Sequence, residues 1–256
     1  MEDFIQVFPR IAFRINMRYF VIAGMTFLIF YVFFKKKYKK DKIQTLFPGI
    51  SDYKREVFFS LISMTIFAGI ATLVFTIFRP YTELYPNISD YGWSYYVFSI
   101  VLMVFVHDFY FYWTHRIMHH PLLYRHVHLV HHKSTNPSPW TAYAFHPIEA
   151  IVEAGILLVI AFLVPAHFSA ILLFFLLQII YNVYGHLGFE LYPKNTHKHP
   201  IGKWLNTSVS HNQHHQFFEG NYGLYFTIWD RLMGTLRTDY DEQFESVTNY
   251  EKKSDV

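Results

Sequence analysis

Histidines at short helical spacings are the residues of this 256-residue chain with the clearest capacity for chemistry. Sixteen are present, and eight of them lie between positions 107 and 132. Offsets of three and four residues place side chains on one face of a helix, about one turn apart, where several imidazoles can converge on one ion. The sequence therefore predicts a metal centre. Eight histidines form one HxxxH and two HxxHH groups, which we interpret as catalytic ligands: His115, His119, His128, His131, His132, His211, His214 and His215.

The number of these ligands indicates more than one ion. Neutral imidazole binds zinc, copper, iron and nickel, but eight ligands exceed the four of an ordinary zinc site. Two ions with four or five nitrogens each fit better. Oxygen chemistry makes iron the natural choice, with zinc as a substitute that a purified protein could carry. Histidines scattered over a solvated surface would not be expected to repeat these spacings.

Further residues could complete the metal centre. His120 adjoins His119, and we expect one of the two to reach the metal. His186, which ends a long apolar segment, is a further expected ligand. His107 follows an apolar segment and could bind metal or orient a ligand, as could Asp108 beside it.

Two more residues have open roles. His146 precedes Pro147 and is expected to orient a neighbour. Asn182, one turn before His186, could bind metal through water or only donate a hydrogen bond. Surface or turn positions are expected for the remaining histidines: His126, His167, His197 and His199.

Carboxylates are sparse near the histidine groups. They are Asp108, Glu149, Glu190 and Glu219. The Glu-x-x-His motif of carboxylate-bridged iron pairs in helical bundles is absent. Asp230 is expected to cap a helix or to pair with Arg231. The chain also has no cysteine, which excludes thiolate metal sites, iron–sulfur clusters and a cysteine nucleophile.

Apolar segments predict that these ligands are positioned by membrane helices. The chain is 52% hydrophobic and only 16% charged, whereas soluble domains carry about 25% charged residues. Residues 19–34 and 57–78 lack charges and are each long enough, the first with its flanks, to span a bilayer. A third span begins near Tyr91 and continues into His107. Residues 154–185 are expected to form a helical hairpin that turns at residues 165–167, where Pro165 lies.

Basic residues predict the orientation. Residues 35–55 carry eight lysines and arginines, whereas residues 79–92 carry only Arg79. The positive-inside rule places the first loop in the cytoplasm. Following the chain from there puts residues 107–150 and 186–256, and thus all histidine groups, on the cytoplasmic face. The small net charge of +3 comes largely from one lysine run, so nucleic acid is not an expected partner.

The expected architecture is therefore an all-α integral membrane protein, with about three spans, a helical hairpin and a histidine-rich helical cap that holds two metal ions. We divide it into residues 1–92, with the first spans and a lysine-rich loop; a catalytic region at residues 93–237; and a polar tail at residues 238–256.

Three segments resemble the histidine boxes of the fatty acid hydroxylase/sterol desaturase superfamily: HDFYFYWTHRIMHH (107–120), HLVHH (128–132) and HNQHH (211–215). Two more, PSPWTAYAFHPIEA (137–150) and NYGLYFTIWDRLMGT (221–235), are similar to its sterol C5-desaturase branch. The resemblance covers about residues 93–237. Asn182 departs from it, because fatty acid 2-hydroxylases of the superfamily carry histidine there.

The resemblance implies a non-haem di-iron enzyme that uses O2 and two electrons to desaturate or hydroxylate a C–H bond of a lipid, sterol-like or fatty acyl, taken from the bilayer. It also implies a separate electron donor, such as a cytochrome b5-like protein or a ferredoxin with its reductase. By the same likeness, His186 joins the metal ligands. A membrane metal transporter or metal-binding protein is the alternative, but transport predicts ligands at mid-membrane.

Overall fold

Helices form almost all of the regular structure in the computed structural model, which describes residues 4–249. In chain order the helices are α1 (Phe4–Phe27, continued by a π-helical turn at Leu28–Phe33), α2 (Lys35–Tyr38), α3 (Ile50–Phe75), α4 (Gly92–Met118), α5 (Pro121–Val127), α6 (Leu129–His132), α7 (Pro147–Leu163), α8 (Phe168–Gly185), α9 (Ser208–Phe217), α10 (Ile228–Leu232) and α11 (Tyr240–Thr248). The two-residue strands β1 (Leu84–Tyr85) and β2 (Ala166–His167) pair in parallel. The predicted all-α membrane fold is confirmed.

Four of these helices are long and apolar enough to cross a membrane, namely α1 with its π-helical turn, α3, α4 and α8. Their outward faces carry large apolar side chains that water would not favour, for example Phe13 and Phe33 on the first helix. Helix α7 has 17 residues, about one turn fewer than a typical membrane span, and packs against α3. Together they form a helical membrane bundle.

The first span begins earlier than its uncharged core. We predicted residues 19–34, but the helix starts at Phe4 and contains Arg10, Arg14 and Arg18. An arginine can lie within a membrane helix when its aliphatic stem packs on apolar surface and its head group finds a polar environment. Similarly, α3 begins at Ile50, after Gly49, and ends at Phe75 rather than at residue 78.

The third span carries the first histidine group without a break. Helix α4 continues past His107 to Met118, so His115 lies in its last turn. The helix ends at Met118, and Pro121 is the first residue of α5, where its missing N–H has no cost. The hairpin prediction is confirmed, because α7 ends at Leu163 and α8 begins at Phe168.

The segments that carry the three spaced histidine motifs and His186 meet at one end of the bundle. The lysine-rich loop lies at the same end, where Lys42 Nζ donates to Asn136 Oδ1 at 2.9 Å. In this loop, Gln44 Nε2 likewise donates to Asn212 Oδ1 on α9, at 3.0 Å. Helix α11 lies in the predicted polar tail, of which residues 250–256 are outside the described residues. It buries Phe244 against Val209 of α9 and so supports the histidine segment from behind.

Candidate metal centre

Nine imidazoles converge in two adjacent groups. The five-histidine group contains His115, His119, His128, His132 and His214, and the four-histidine group contains His131, His186, His211 and His215. Within each group one nitrogen of every ring lies within 4.8 Å of the others. Eight of the rings are buried, and His119 is partly exposed. All eight histidines of the three spaced motifs, together with His186, are thus brought together.

The distances between ring nitrogens match shared coordination at nearly right angles. Two nitrogens that each lie about 2.1 Å from one ion are about 3.0 Å apart at a 90° angle, and about 3.4 Å apart at a tetrahedral angle. In the five-histidine group four Nε2–Nε2 distances are 3.0 to 3.1 Å, joining His115 to His128, His128 to His132, His132 to His119, and His119 to His214. Five ligands at such angles suit an ion with more than four positions.

The four-histidine group is somewhat more open. Its Nε2–Nε2 distances are 2.9 Å for His186 and His211, 3.2 Å for His211 and His215, and 3.3 Å for His131 and His186. With four protein nitrogens, an ion in this group would keep more positions for other ligands than an ion in the five-histidine group.

The hydrogen bonds of the Nδ1 atoms, which face away from the centre of each group, determine which ring nitrogen can bind a cation. Nδ1 of His115 lies 2.9 Å from the carbonyl oxygen of Tyr222, and Nδ1 of His214 lies 2.7 Å from that of Gly220. Nδ1 of His186 and Nδ1 of His215 likewise face the carbonyl oxygens of Asn182 and Ser134. A carbonyl only accepts, so each Nδ1 carries the proton and each Nε2 presents its lone pair.

These tautomers make the close Nε2 contacts unfavourable without a cation. The Nδ1 proton of His115 is held by the Tyr222 carbonyl, and that of His128 by the Glu149 carboxylate. Their Nε2 atoms therefore direct lone pairs at each other over 3.0 Å, and neither atom has a proton to share. A positive ion between them converts this repulsion into two bonds. The donor set, the distances and the tautomers therefore fit a metal in each group.

Burial keeps the rings neutral, as metal ligands must be. It lowers the pKa of His119 to about 2 and that of His186 to about 4. In the four-histidine group, burial is the main cause that holds the pKa of His131 well below its ordinary value, and the nearby His186 lowers this pKa further. No proton therefore has to leave these rings near neutral pH before an ion binds.

One buried carboxylate contacts a ligand of the five-histidine group. Glu149, in the first turn of α7, lies 2.6 Å from Nδ1 of His128, and both side chains are almost fully buried. A carboxylate that accepts from the outer nitrogen orients the ring and raises its basicity toward a metal. Sequence reasoning named Glu149 only as a nearby carboxylate, because nothing in its spacing reports the contact with His128.

We expect Glu149→Gln to weaken metal retention by about 10- to 100-fold, because the amide is a weaker acceptor for the His128 N–H. The measurement is metal content after dialysis against a graded series of chelator concentrations. Glu242→Gln, at an exposed position of α11, is the matched control and should behave as wild type. Equal retention by both variants would show that Glu149 does not support the ligand.

His120 and His146 do not reach either group. His120 is exposed, and its Nδ1 accepts from Leu122 N at 3.4 Å, at the start of α5. His146 makes the same kind of cap at the start of α7, where its Nδ1 accepts from Ile148 N at 3.3 Å. Of the adjacent pair, His119 is therefore the residue that converges with the other rings, and the neighbour that His146 contacts is the backbone of Ile148.

His107 and Asp108 lie away from the ligands but contact the segment that follows α9. Nδ1 of His107 is 3.0 Å from the Tyr225 hydroxyl, while the Asp108 carboxylate accepts from the backbone N–H groups of Tyr225 and Phe226. Asn182 serves the site through its backbone, since its carbonyl accepts from His186, and its side chain donates to Ala142 O at 2.8 Å.

The other histidines take turn or surface roles, with one exception. His126 is exposed, and His199 accepts from the backbone N–H of Gly202 within its turn. His167 caps the start of α8 by accepting from Ser169 N, and its Nε2 lies 3.0 Å from the Pro86 carbonyl oxygen. His197, however, is buried against Phe244 and lies 3.3 Å from Glu245.

The prediction for Asp230 is wrong in both forms. Instead of capping α10 or pairing with Arg231, its carboxylate accepts from the backbone of Tyr222 and Gly223, each at 2.8 Å. The Thr235 hydroxyl donates to it at 2.7 Å. Because Tyr222 O in turn holds His115, Asp230 fixes a loop that orients a ring of the five-histidine group.

A second buried carboxylate supports the four-histidine group. Glu56 on α3 is fully buried and accepts from the hydroxyls of Ser134 and Ser138, at 2.8 and 2.5 Å. The carbonyl of Ser134 is the partner of His215. Sequence reasoning missed Glu56, which directly precedes the uncharged residues 57–78 and is far from the histidine motifs in the chain.

An apolar cleft leads to the four-histidine group. It lies among α1, α3, α7 and α8, is also lined by His107 of α4, and has about 900 Å³ of empty space when the open solvent at its mouth is included. Phe145 lines the cleft, and its ring centroid is 5.0 Å from that of His131. A molecule in the cleft is thus separated from the ligands by one side chain.

Membrane helices with two buried imidazole groups at one end define the chain as an integral membrane protein with a histidine-lined centre. It belongs to the fatty acid hydroxylase family, whose model matches residues 100–235. This confirms the family that the histidine boxes indicated.

Curated relatives identify the branch. The chain is 32% identical to a lathosterol oxidase of Rattus norvegicus over 72% of its own length and 60% of the relative, and 30% identical to that of Homo sapiens over 78% and 66%. It is 35% identical to a Delta(7)-sterol 5(6)-desaturase of Gibberella zeae over 64% and 49%. The chain thus spans about half to two thirds of these relatives. No solved structure matches it significantly.

Proposed function

We propose that the chain is a membrane-bound non-haem di-iron oxidoreductase. It uses O2 and two electrons to desaturate or hydroxylate a C–H bond of a lipid, and the relatives' names favour a sterol-like substrate over a fatty acyl chain. The observation that carries the proposal is nine converging imidazoles beside an apolar cleft. Their position at one end of the bundle, rather than at mid-membrane, favours an enzyme over a metal transporter.

Bound iron would supply the oxidising power for an unactivated C–H bond, and the chain's own residues do the rest. The two histidine groups would hold the metal, with Glu149 keeping a proton at Nδ1 of His128 and the Tyr222 carbonyl keeping one at Nδ1 of His115. Burial of the rings excludes water from the reacting centre. The cleft presents the lipid, and Phe145 stands between it and His131.

The reaction needs electrons from outside the chain. Desaturation converts –CH2–CH2–, O2, two electrons and two protons into –CH=CH– and two waters; hydroxylation yields one alcohol and one water. We propose that a separate cytochrome b5-like protein, or a ferredoxin with its reductase, supplies the two electrons.

Comparative lipid mass spectrometry tests the proposed reaction. Membranes from cells with and without the gene should differ by a lipid that has lost two hydrogens or gained one oxygen. Under 18O2, a hydroxylated product should gain the label and a desaturated one should not. An unchanged lipid profile, together with reversible zinc uptake into vesicles that contain the chain, would favour transport instead.

We propose that the histidine groups face the cytoplasm, because the lysine-rich loop contacts the histidine segments and positive loops remain inside. The cysteine-free chain allows a clean test. Leu46→Cys, in that loop, should react with an impermeant maleimide only from the cytoplasmic side. Tyr81→Cys, between α3 and α4, should react only from the other side, since both side chains are at least three-quarters exposed. The reverse pattern would invert the orientation.

A further inference from the structure

The loop that follows α9 runs back along α4, away from the histidines and toward the middle of the bundle. The backbone N–H groups of Tyr225 and Phe226 donate to Asp108, and the Phe226 ring stacks on that of Phe105 with centroids 5.2 Å apart. Phe105 precedes His115 by about 15 Å along the helix, at 1.5 Å per residue. This part of the histidine-rich cap therefore lies well below the metal centre, beside a membrane helix.

Helix α10 and the turn at residues 201–204 meet at this deep part of the cap and form one unit. The Lys203 carbonyl accepts from the Thr227 hydroxyl at 2.8 Å and from Arg231 Nε at 3.2 Å. The unit presents four exposed apolar side chains and two partly exposed cations to its surroundings. We term this surface the ridge, and its residues are Ile201, Lys203, Trp204, Arg231, Leu232 and Met233.

The ridge continues the lipid-facing stripe of α4. In α10 the ring of Trp229 contacts that of Phe109, with centroids 5.3 Å apart. From Trp93 to Phe109 the helix rises about 24 Å, whereas the hydrocarbon core of a bilayer is about 30 Å thick. Lipid chains that cover the stripe therefore also reach α10. The exposed side chains of the stripe are Trp93, Val97, Phe98, Val101, Phe105 and Phe109.

The cations of the ridge suit the layer of lipid head groups. Lys203 Nζ lies 5.2 Å, and Arg231 Cζ 5.8 Å, from the ring centroid of Trp204. Neither cation forms an ion pair within residues 4–249. Tryptophan is enriched where hydrocarbon meets head groups, and long cationic side chains extend from there to the interface. A phospholipid leaflet therefore matches both the apolar and the charged side chains of the ridge.

We infer that the ridge is inserted into the bilayer leaflet nearest the histidine groups. Ile201, Leu232 and Met233 lie among the acyl chains, while Lys203 and Arg231 reach the lipid phosphates. The partner of this surface is thus the membrane itself rather than a second protein. The inference concerns the position of the cap on the bilayer, so it goes beyond the proposed reaction and does not depend on it.

Insertion would also support the metal centre. Asp230 of α10 accepts from the backbone of Tyr222, whose carbonyl in turn holds Nδ1 of His115. A bilayer that holds α10 in place thereby restrains the loop that orients a ring of the five-histidine group.

Site-directed spin labelling tests the inference, because the chain has no cysteine. Ile201→Cys and Leu232→Cys forms of the full chain are labelled and reconstituted at one chain per lipid nanodisc. Electron paramagnetic resonance then measures collisions with O2, which concentrates in hydrocarbon, and with a water-soluble nickel chelate. For both labels the ratio of O2 to nickel collisions should exceed that of exposed Glu242→Cys by at least about fivefold. It should approach that of Phe98→Cys, in the stripe of α4.

A charge in the ridge provides a second test. Adding Leu232→Asp to the labelled Ile201→Cys form should raise nickel collisions by about threefold, because a carboxylate is costly among acyl chains. Leu46→Asp, at an exposed position of the lysine-rich loop, is the matched control and should leave the Ile201 label unchanged. The two labels without added charge decide the question even where Leu232→Asp fails to fold.

Three results would overturn the inference. Nickel collisions at either label equal to those of Glu242→Cys would place the ridge in water. Few collisions with both reagents would show that protein, rather than lipid, covers the ridge. An unchanged Ile201 label in folded Leu232→Asp would mean that the ridge is not held by acyl chains. None of these measurements requires turnover, so a failure here is distinct from a failure of the proposed reaction.

Discussion

Replacing His214 with alanine is expected to abolish product formation and to remove at least one of about two metal ions per chain. The His214 ring is one of the five in the five-histidine group. Its Nε2 atom lies 3.1 Å from that of His119, and its Nδ1 atom is held by the Gly220 carbonyl. Its loss leaves four ligands and a gap that water can enter. His131→Ala should do the same to the four-histidine group. Metal analysis and product quantification on the same preparation provide the measurement.

The matched control for this prediction is His120→Ala. This neighbour of His119 is exposed and lies outside both groups, so the variant should keep both ions and turn over at close to the wild-type rate. Membrane insertion should be normal in all three variants. The ligand assignment fails if His214→Ala retains two ions and wild-type turnover, or if His120→Ala loses them.

Asp230→Ala is expected to produce the second large effect, on stability. It would leave the buried N–H groups of Tyr222 and Gly223 without their acceptor, at a cost of about 3 kcal/mol. The midpoint of thermal unfolding should fall by several degrees. Because the Tyr222 carbonyl would no longer hold His115 firmly, metal should also dissociate faster. The measurement is thermal unfolding in detergent, followed by size-exclusion chromatography with fluorescence detection.

Asp241→Ala serves as the control, because Asp241 is exposed on α11 and its removal should change the midpoint little. If Asp230→Ala unfolded at the same temperature as this control, the carboxylate would not be holding the loop. If it unfolded earlier but kept its metal as tightly as wild type, the link from the loop to His115 would be wrong.

The sequence predicted those features that depend on local spacing. A proline and a lack of charge were enough to place the hairpin turn, and the repeated HxxHH spacing identified rings that the structure brings together. Helical spacing could also have decided between His119 and His120 as the ligand. A residue four positions after His115 lies on the same helical face, whereas the next residue is rotated by about 100°.

Features that depend on contacts between distant segments could not be predicted in this way. Glu56 looked like one charge near an apolar span, yet it binds the serines that precede the loop at Trp140. Asp230 sits where helix caps are common, but the tertiary fold gives its carboxylate better donors than its own helix does. The start of the first helix was missed because three arginines resembled a soluble flank, and only packing shows where their side chains lie.

Metal stoichiometry with iron K-edge absorption on the purified chain tests the central claim most directly. Protein produced with ample iron should contain about two irons per chain, each surrounded by imidazole nitrogens at about 2.1 Å. His131→Ala should contain about one iron fewer per chain, and the absorption of its remaining iron should still be that of an ion bound by imidazole nitrogens. A single ion per chain, or iron bound mainly by oxygen, would contradict the arrangement of two histidine groups as two metal sites.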